Sequence, residues 1–235
     1  MSIEVSVVIP VYNEEAILEE ALSELLTNLR QHEPSFEVII SANGCVDETE
    51  AIAERLAQTH PELKLHRCPE PDYGEALKQG IEMAQGNLVL CEEIDLCDDR
   101  FHRTALAMLR ADEELAMVVG SKAMRGSRDR RPMTRRAATR VINGLLWASL
   151  GFQGSDTHGL KGFLRDALLP IVDACIVDKD LFASELVIRA ERAGLDIQEI
   201  PIELEEQRSP PINLVRRVPG VLKGLGRLVF SKSSY

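Results

Sequence analysis

Five acidic residues follow a short apolar run near the middle of the chain. Leu88–Cys91 (LVLC) has the composition of a buried strand. Ligands of open α/β sheets bind beyond the carboxyl ends of the strands. Hard cations such as Mg²⁺ and Mn²⁺ often bind through one or two carboxylates together with substrate phosphates. The cluster indicates either a divalent-cation site or a solvated acidic loop. Its members are Glu92, Glu93, Asp95, Asp98 and Asp99.

Positive charge is concentrated in the second half of the chain. Residues 1–120 contain 25 acidic and 8 basic residues, whereas residues 121–235 contain 13 and 19, within a total net charge of −11. Residues 122–140 hold seven arginines, and Gly126 and Pro132 predict a loop there before a helix near Thr134–Leu150. A loop that closes over phosphates fits this segment. Nucleic-acid binding fits less well, because the protein is acidic and no aromatic residues alternate with the arginines.

Strand and helix patterns alternate along the chain. Amphipathic helices are predicted between apolar, β-branched runs, and Asn13 is predicted to cap the first helix. This spacing predicts an α/β fold with a mostly parallel central sheet flanked by helices. A glycine-rich loop is expected at 154–163, with no role assigned to His158. The predicted strands are Val5–Val11, Phe36–Ser41, Leu63–Cys68, Leu88–Cys91, Ala116–Ser121 and Ile197–Leu204.

Several classes of protein are excluded by what the sequence lacks. The five cysteines include no C-x-x-C pair, which favours reduced thiols over disulfides or zinc ligands. We expect a cytoplasmic protein, since no apolar run approaches the ~20 residues of a membrane span and no signal peptide is recognised. The dinucleotide, P-loop, zinc-protease and serine-hydrolase motifs are missing. The basic segment 213–230 predicts either a membrane-surface helix or a terminal helix docked on the domain.

Taken in order, these segments resemble the family 2 glycosyltransferases, which have the A-type glycosyltransferase fold. The similarity is greatest to the branch of polyprenol- and dolichol-phosphate sugar transferases. It covers about residues 3–210 and rests on VSVVIPVYNEE at the start, FEVIISANGCVDET, the Glu93-Ile94-Asp95-Leu96 segment, Gly120-Ser121-Lys122, the segment Asp156–Ala167, and Glu185–Pro201 with Arg208. The sequence departs from the family pattern at Ala42-Asn43, where paired aspartates are usual, and at Glu93, where an aspartate is usual.

The resemblance implies a role for each of the following residues. Glu93 and Asp95 would hold Mg²⁺ or Mn²⁺, and Asp95 would also count among the catalytic residues. Lys122 and Arg208 would neutralise the leaving nucleoside diphosphate, and Asp156 and Glu185 would lie toward the acceptor as catalytic carboxylates. The nucleotide would contact residues at the ends of the first two strands, namely Pro10, Tyr12, Glu14, Asn43 and Asp47.

The resemblance implies transfer of a hexose from a nucleotide sugar, such as a UDP- or GDP-hexose, with inversion at the anomeric carbon. We expect a polyprenyl-phosphate acceptor. The alternatives are a soluble or polysaccharide hydroxyl acceptor, or a non-catalytic nucleotide-sugar-binding protein. Residues 1–210 would form one domain, with a nucleotide half (1–121) and an acceptor half (122–210). The basic tail, 211–235, would contact the inner face of the membrane peripherally, and no nucleic acid is expected as a partner.

Overall fold

The computed structural model describes residues 2–124, 126–129, 133–157, 159–177, 181–204 and 223–229. A seven-stranded sheet runs through this part of the chain in the order β3-β2-β1-β4-β7-β5-β8. β7 is antiparallel to both of its neighbours, and the other pairs are parallel. The strands are β1 Val5–Val11, β2 Phe36–Asn43, β3 Leu63–Cys68, β4 Leu88–Cys91, β5 Leu115–Ser121, β7 Lys161–Leu164 and β8 Asp196–Pro201. A separate short pair joins β6 (Arg128–Asp129) to β9 (Glu203–Leu204).

Helices cover both faces of the sheet. One apolar cluster joins one face to α1, α2 and α4, and a second joins the other face to α3, α6 and α7. Every residue of the central strand β1 is buried, which explains its nearly continuous apolar sequence. The helices are α1 Leu18–His32, α2 Thr49–Thr59, α3 Tyr73–Met83, α4 Asp99–Ala111, α5 Met133–Leu150, α6 Arg165–Ala174 and α7 Phe182–Arg192. The expected mostly parallel α/β fold is confirmed.

β7 was not predicted from the sequence. Its four residues include a lysine and a glycine, which interrupt the apolar pattern of a buried strand. Gly162 packs closely there, because a Cβ atom would lie 3.1 Å from side-chain atoms of both Ala105 and Leu90. β7 inserts between β4 and β5 and buries Phe163 completely. The segment expected to be a loop therefore ends in a central strand.

Two local predictions at the ends of elements are wrong. Asn13 does not cap α1: it adopts a positive φ of 56°, its Oδ1 accepts a hydrogen bond from the Val46 N–H at 2.9 Å, and the helix begins at Leu18. The expected strand Ile197–Leu204 is divided, because its last residues leave the main sheet and pair with β6.

The C-terminal segment is described only at residues 223–229, which are helical. Leu228 is 5% exposed and belongs to the apolar cluster beneath α7, and Leu225 packs against the same cluster. This portion of the predicted tail is docked on the domain. Arg208, His158 and the predicted boundary at residue 210 lie outside the described residues. Within the part of the chain that the structure describes, no helix has the length and apolarity needed to cross a membrane.

Candidate active site

Four parallel strands and one antiparallel strand bring the candidate residues to one edge of the sheet. The carboxyl ends of β1, β2, β4 and β5 share this edge. Because β7 runs in the opposite direction, its first residue, Lys161, lies at the same edge, paired with Cys91 on one side and Val119 on the other. The end of β4 and the end of β5 are thereby held one strand apart. This edge is the position at which open α/β sheets bind ligands.

The acidic turn, Glu92–Asp98, contains two carboxylates without a fixed protein partner. Glu93 is exposed and Asp95 is half-buried, and neither side chain makes a hydrogen bond or an ion pair with another residue that the structure describes. Protein atoms around Glu93 desolvate it and raise its pKa, Lys122 opposes this rise, and the neighbouring Asp95 adds to it. A cation bound beside this pair would relieve the repulsion between the two carboxylates.

The other acids of the acidic turn have structural partners. Asp98 caps α4, since its Oδ1 accepts a hydrogen bond from the Phe101 N–H at 3.1 Å. Glu92 is buried, and its Oε1 lies 2.5 Å from His102 Nε2. Burial lowers the pKa of His102, but the Glu92 carboxylate outweighs burial and raises it. Burial raises the pKa of Glu92, and its interaction with His102 opposes this rise.

Two lysines face this turn from the neighbouring strands. Lys122, directly after β5, places its Nζ 3.6 Å from Asp156 Oδ2. Lys161 is 2% exposed and donates from Nζ to the Gly159 carbonyl oxygen at 2.7 Å. Burial lowers the pKa of Lys161, while Cys91, Asp156 and Glu93 oppose this change. A bound anion would offset the cost of burying these ammonium groups.

Asp156 lies in the 154–160 loop, which is held by hydrogen bonds to Lys122 and to Glu199. Its Oδ2 accepts a hydrogen bond from the Lys122 N–H at 3.2 Å, and its own N–H donates to Glu199 Oε1 at 3.2 Å. Glu199 also accepts from the Ser155 N–H at 2.7 Å and from Ser155 Oγ at 2.6 Å. At Gly159 a Cβ atom would lie 1.7 Å from the Gly120 carbonyl oxygen. The loop therefore crosses β5 at a point where only glycine fits.

The ends of β1 and β2 form the other side of the site. Asp47 accepts hydrogen bonds from Thr49 Oγ1 at 2.5 Å, from the Thr49 N–H at 3.1 Å and from the Glu15 N–H at 3.2 Å. Burial raises the pKa of Asp47, but these hydrogen bonds outweigh burial and lower it. Thr49 Oγ1 accepts from the Glu14 N–H at 2.7 Å. These bonds fix the turn after β1, which carries the half-buried Tyr12 just after the buried Pro10.

Asn43 occupies the end of β2 with its side chain already engaged. It is 6% exposed, and its Oδ1 accepts a hydrogen bond from the Asp72 N–H at the start of α3. The next residue of α3, Tyr73, has its pKa raised well above the ordinary value by burial, with a further contribution from Glu93. Tyr73 therefore remains a neutral phenol beside the acidic turn.

Glu185 is not among the residues that the structure brings together at this edge. It is 1% exposed on α7, and its Oε2 accepts from the N–H groups of Ile176 and Val177 at 3.0 and 2.8 Å. Arg189 donates to its Oε1 at 2.5 Å. These contacts fit a carboxylate that holds the 175–177 segment against α7, and none of them links Glu185 to the acidic turn or to Asp156.

Sequence reasoning missed three residues of the site: Tyr73, Lys161 and Glu199. The signal for Lys161 was present, because a lysine between Leu160 and Phe163 is unusual in an apolar run. Glu199 carries no comparable signal, since a glutamate in an alternating edge strand is normally solvated. The proximity of Tyr73 to Glu93 depends on the packing of α3 against the sheet.

Comparison with known proteins gives a consistent result. Residues 6–169 match the model of the family described as Glycosyl transferase family 2. The chain is 31% identical over 223 residues to glycosyltransferase AglD of Haloferax volcanii, covering 93% of this chain and 36% of that protein. It is 29% identical over 217 residues to a dolichyl-phosphate beta-glucosyltransferase of Trichomonas vaginalis, covering 87% and 67% of the two chains.

A bacterial relative and a solved structure extend the comparison. An undecaprenyl-phosphate 4-deoxy-4-formamido-L-arabinose transferase of Proteus mirabilis is 29% identical over 171 residues, which are 70% of this chain and 51% of that protein. Glucosyl-3-phosphoglycerate synthase of Mycobacterium tuberculosis, crystallised with Mn²⁺, UDP-glucose and phosphoglyceric acid, superposes with a TM-score of 0.71 at 20% identity. That match covers 95% of this chain and 80% of the synthase. The present chain spans about a third of the length of the haloarchaeal relative and about two thirds of the dolichyl-phosphate transferase.

Proposed function

The chain belongs to glycosyl transferase family 2, and we propose that it transfers a hexose from a nucleoside-diphosphate sugar to a polyprenyl phosphate. The observation that carries this proposal is the meeting of two kinds of charge at one sheet edge. Glu93 and Asp95 have no protein partner among the described residues, and Lys122 and Lys161 are held beside them. The diphosphate of a sugar nucleotide needs both a cation-binding pair and direct positive charge.

The residues present fit a divalent cation shared with the substrate. Among the described residues no group of three or more metal-binding side chains is found. A pair of carboxylates would supply the protein's share of the ligands, which is usual for Mg²⁺ that also contacts substrate phosphates. Glu93 and Asp95 would hold Mg²⁺ or Mn²⁺, which when bound supplies positive charge to the departing diphosphate.

The chain's own cations act on the same leaving group. Negative charge grows on the diphosphate as the sugar–phosphate bond breaks, and fixed ammonium groups stabilise that charge most when water is excluded. Lys161 is fixed by the Gly159 carbonyl, and Lys122 by its position after β5. Asp156 orients Lys122 through both its main-chain N–H and its ammonium group. Arg208 is proposed to join them from the C-terminal side.

A polyprenyl-phosphate acceptor explains why a strong base is not needed. The attacking phosphate oxygen is already anionic, so no proton has to be removed before it displaces the diphosphate with inversion at the anomeric carbon. The names of the relatives from Trichomonas vaginalis and Proteus mirabilis support a lipid-phosphate acceptor. A hydroxyl acceptor would need a base, and Asp156 is the candidate because it is the buried carboxylate beside Lys122.

The nucleoside would bind where β1 and β2 end. We assign Pro10, Tyr12 and Glu14 to one wall of its pocket, and Asn43 and Asp47 to the other. The hydrogen bonds that Thr49 and Asp47 accept from main-chain N–H groups of the turn after β1 give this pocket a fixed shape before the donor arrives. The acceptor lies in a bilayer, so the protein would work at a membrane surface, on the cytoplasmic side. The predicted tail, 211–235, is one candidate for peripheral contact with that surface.

The test is direct transfer by the purified protein. The full chain is incubated with Mn²⁺, a radiolabelled UDP- or GDP-hexose and a polyprenyl phosphate, and the label is followed into the organic phase. We expect organic-phase label that depends on the acceptor and disappears with a chelator.

The other outcomes identify the alternatives. Label found only in water-soluble glycosides would favour a hydroxyl acceptor. Binding of nucleotide sugars without transfer or hydrolysis of any of them would indicate a non-catalytic binding protein.

A further inference from the structure

The α5 helix presents large apolar side chains to solvent. Met133 is 80% exposed, Val141 is 62% exposed, Leu145 is 41% exposed and Trp147 is 68% exposed. The small residues Ala137, Gly144 and Ala148 are exposed along the same helix. At 3.6 residues per turn all of these positions fall on one side of α5. We call Met133, Val141, Leu145 and Trp147 the α5 apolar face.

The opposite side of α5 anchors the helix to the domain. Leu146 and Leu150 are 1% and 4% exposed and belong to the apolar cluster under the sheet. Asn143 donates from Nδ2 to the Ser155 carbonyl oxygen at 2.6 Å, next to Asp156 in the 154–160 loop. A surface that contacts the α5 apolar face is therefore held at a fixed position relative to the acceptor side of the site.

The charge of the neighbouring sequence indicates what covers this face. Residues 125–140 contain seven arginines and a single acidic residue, Asp129, in a protein whose net charge is −11. A basic segment joined to an apolar helix face with an exposed tryptophan is the pattern of helices that lie on anionic lipid surfaces. In the C-terminal segment, by contrast, the described helix 223–229 already buries Leu228 against the domain.

We propose that the α5 apolar face docks on an anionic lipid bilayer. This proposal rests on the proposed function, since the bilayer is where a polyprenyl phosphate resides. It assigns membrane contact to α5 rather than to the tail. The Asn143–Ser155 hydrogen bond ties α5 to the 154–160 loop. Docking through α5 would therefore place this loop close to the phosphate of a membrane-embedded acceptor.

The chain offers a built-in probe, because Trp147 is its one tryptophan. Fluorescence of the full chain is recorded with vesicles of phosphatidylcholine alone and of phosphatidylcholine with phosphatidylglycerol. The account predicts a blue shift of Trp147 emission with the anionic vesicles and quenching by brominated acyl chains. Raising the salt concentration should weaken the binding.

A double substitution, Val141→Glu with Leu145→Glu, tests the face while it keeps the probe. We expect vesicle affinity to fall about tenfold or more, because each charge would have to enter an apolar layer. The matched control is Met83→Glu, which changes a 40% exposed methionine at the end of α3. That variant should keep wild-type vesicle affinity, and thermal unfolding confirms that both variants are folded.

Three outcomes would overturn the docking proposal. One is an unchanged Trp147 emission on vesicles, whether or not the protein sediments with them. Another is a lipid-free blue shift that grows with protein concentration as a dimer forms, which would identify a second copy as the occupant. The third is a blue-shifted emission already present in the lipid-free monomer, which would show that the chain itself covers the face.

Activity assays separate this proposal from the proposed function. The double variant should transfer sugar normally to a short-chain, water-soluble polyprenyl phosphate and lose at least about tenfold in rate with a vesicle-embedded acceptor. If the wild-type chain docks through Trp147 but transfers sugar to neither acceptor, the proposed function fails and the docking stands. If it transfers to both acceptors at rates that the double variant reproduces, the docking fails and the function stands.

Discussion

Carboxylates at the acidic turn and in the second half of the chain have opposite surroundings. At the acidic turn, Glu93 and Asp95 reach solvent and have no partner among the described residues. In the second half of the chain, Glu185 is 1% exposed and accepts two main-chain N–H groups and an arginine. Glu199 likewise accepts two main-chain N–H groups and a serine hydroxyl.

The difference shows how a carboxylate's role follows from what its oxygens contact. A carboxylate oxygen that already accepts main-chain N–H bonds has less capacity left for a ligand, and breaking those bonds costs about 1–3 kcal/mol for each buried donor left unsatisfied. Carboxylates left open at a sheet edge carry no such cost. We call carboxylates whose oxygens accept main-chain N–H groups the engaged carboxylates. Glu185, Glu199 and Glu37 are examples, and Glu37 accepts from the Gln85 N–H. Substitutions in the two groups should separate activity from stability.

The largest effect is expected at the acidic turn. Asp95→Asn should lower transfer about a thousandfold, because the cation ligand is lost and the charge on the departing diphosphate is less well stabilised. Stability should be unchanged, since the Asp95 side chain makes no hydrogen bond within the described structure. Transfer assays and urea unfolding measure the two quantities.

The control for this variant lies three residues away. Asp98→Ala removes the cap of α4 and should cost about 1 kcal/mol of stability while retaining transfer activity. Equal losses of activity in the two variants would remove the distinction between Asp95 and the rest of the acidic turn.

Glu185→Gln should lower stability rather than activity, the reverse of the result expected for Asp95→Asn. The free energy of unfolding should fall by about 3 kcal/mol, because the buried Arg189 loses its charged partner and one amide oxygen replaces two acceptors. Urea unfolding gives the loss of stability. The fraction that remains folded should retain nucleotide-sugar affinity. A variant of normal stability that had lost turnover would place Glu185 in catalysis instead.

Glu37→Gln tests an engaged carboxylate in the first half of the chain. Burial raises the pKa of Glu37, but hydrogen bonds from Lys64, Ser6 and the Gln85 N–H outweigh it, so the pKa lies below its ordinary value. We expect a loss of about 2 kcal/mol near neutral pH, where the native carboxylate is charged.

The pH dependence of this loss follows from the direction of the shift. A pKa that is lower in the folded state stabilises the protein above the unfolded value, and this contribution is lost as pH falls through the folded value. The difference between wild type and Glu37→Gln should therefore be constant near neutrality and shrink below about pH 4.3. A difference that grew in acid would show that the native group is protonated.

The smallest effect is expected at Glu199, which we treat as a positioning residue. Glu199→Gln keeps the size of the side chain but replaces one of the two oxygens that hold Ser155 and Asp156. We expect kcat to fall about tenfold with little change in the KM for the donor, because Asp156 and Lys122 are misaligned rather than removed. A matching change in donor KM, with kcat retained, would place Glu199 in donor binding instead.

The sequence predicted the strands whose residues are uniformly buried, because burial on both faces imposes a mostly apolar composition. It did not predict β7, in which Lys161 serves the site and Gly162 allows close packing. Nor could it give the order in which β7 separates β4 from β5, since that order depends on pairing between distant segments.

The candidate site could be predicted where its residues directly follow a strand in the sequence. Glu93 and Asp95 follow a strand directly, and Lys122 follows another, so their common edge could be inferred. Glu185 shows the limit of this reasoning, because its N–H partners Ile176 and Val177 come from a loop that carries no sequence signal. Glu199 and Tyr73 reach the site only through tertiary packing.

The central claim is that the open carboxylates bind a sugar nucleotide through a divalent cation. The most direct measurement is thermal unfolding of the wild type, Asp95→Asn and Asp98→Ala with UDP- and GDP-hexoses, each with and without Mn²⁺. The account predicts that one nucleotide sugar raises the Tm of the wild type and of Asp98→Ala only when Mn²⁺ is present, and does not raise that of Asp95→Asn. Equal stabilisation of all three proteins, with or without Mn²⁺, would contradict it.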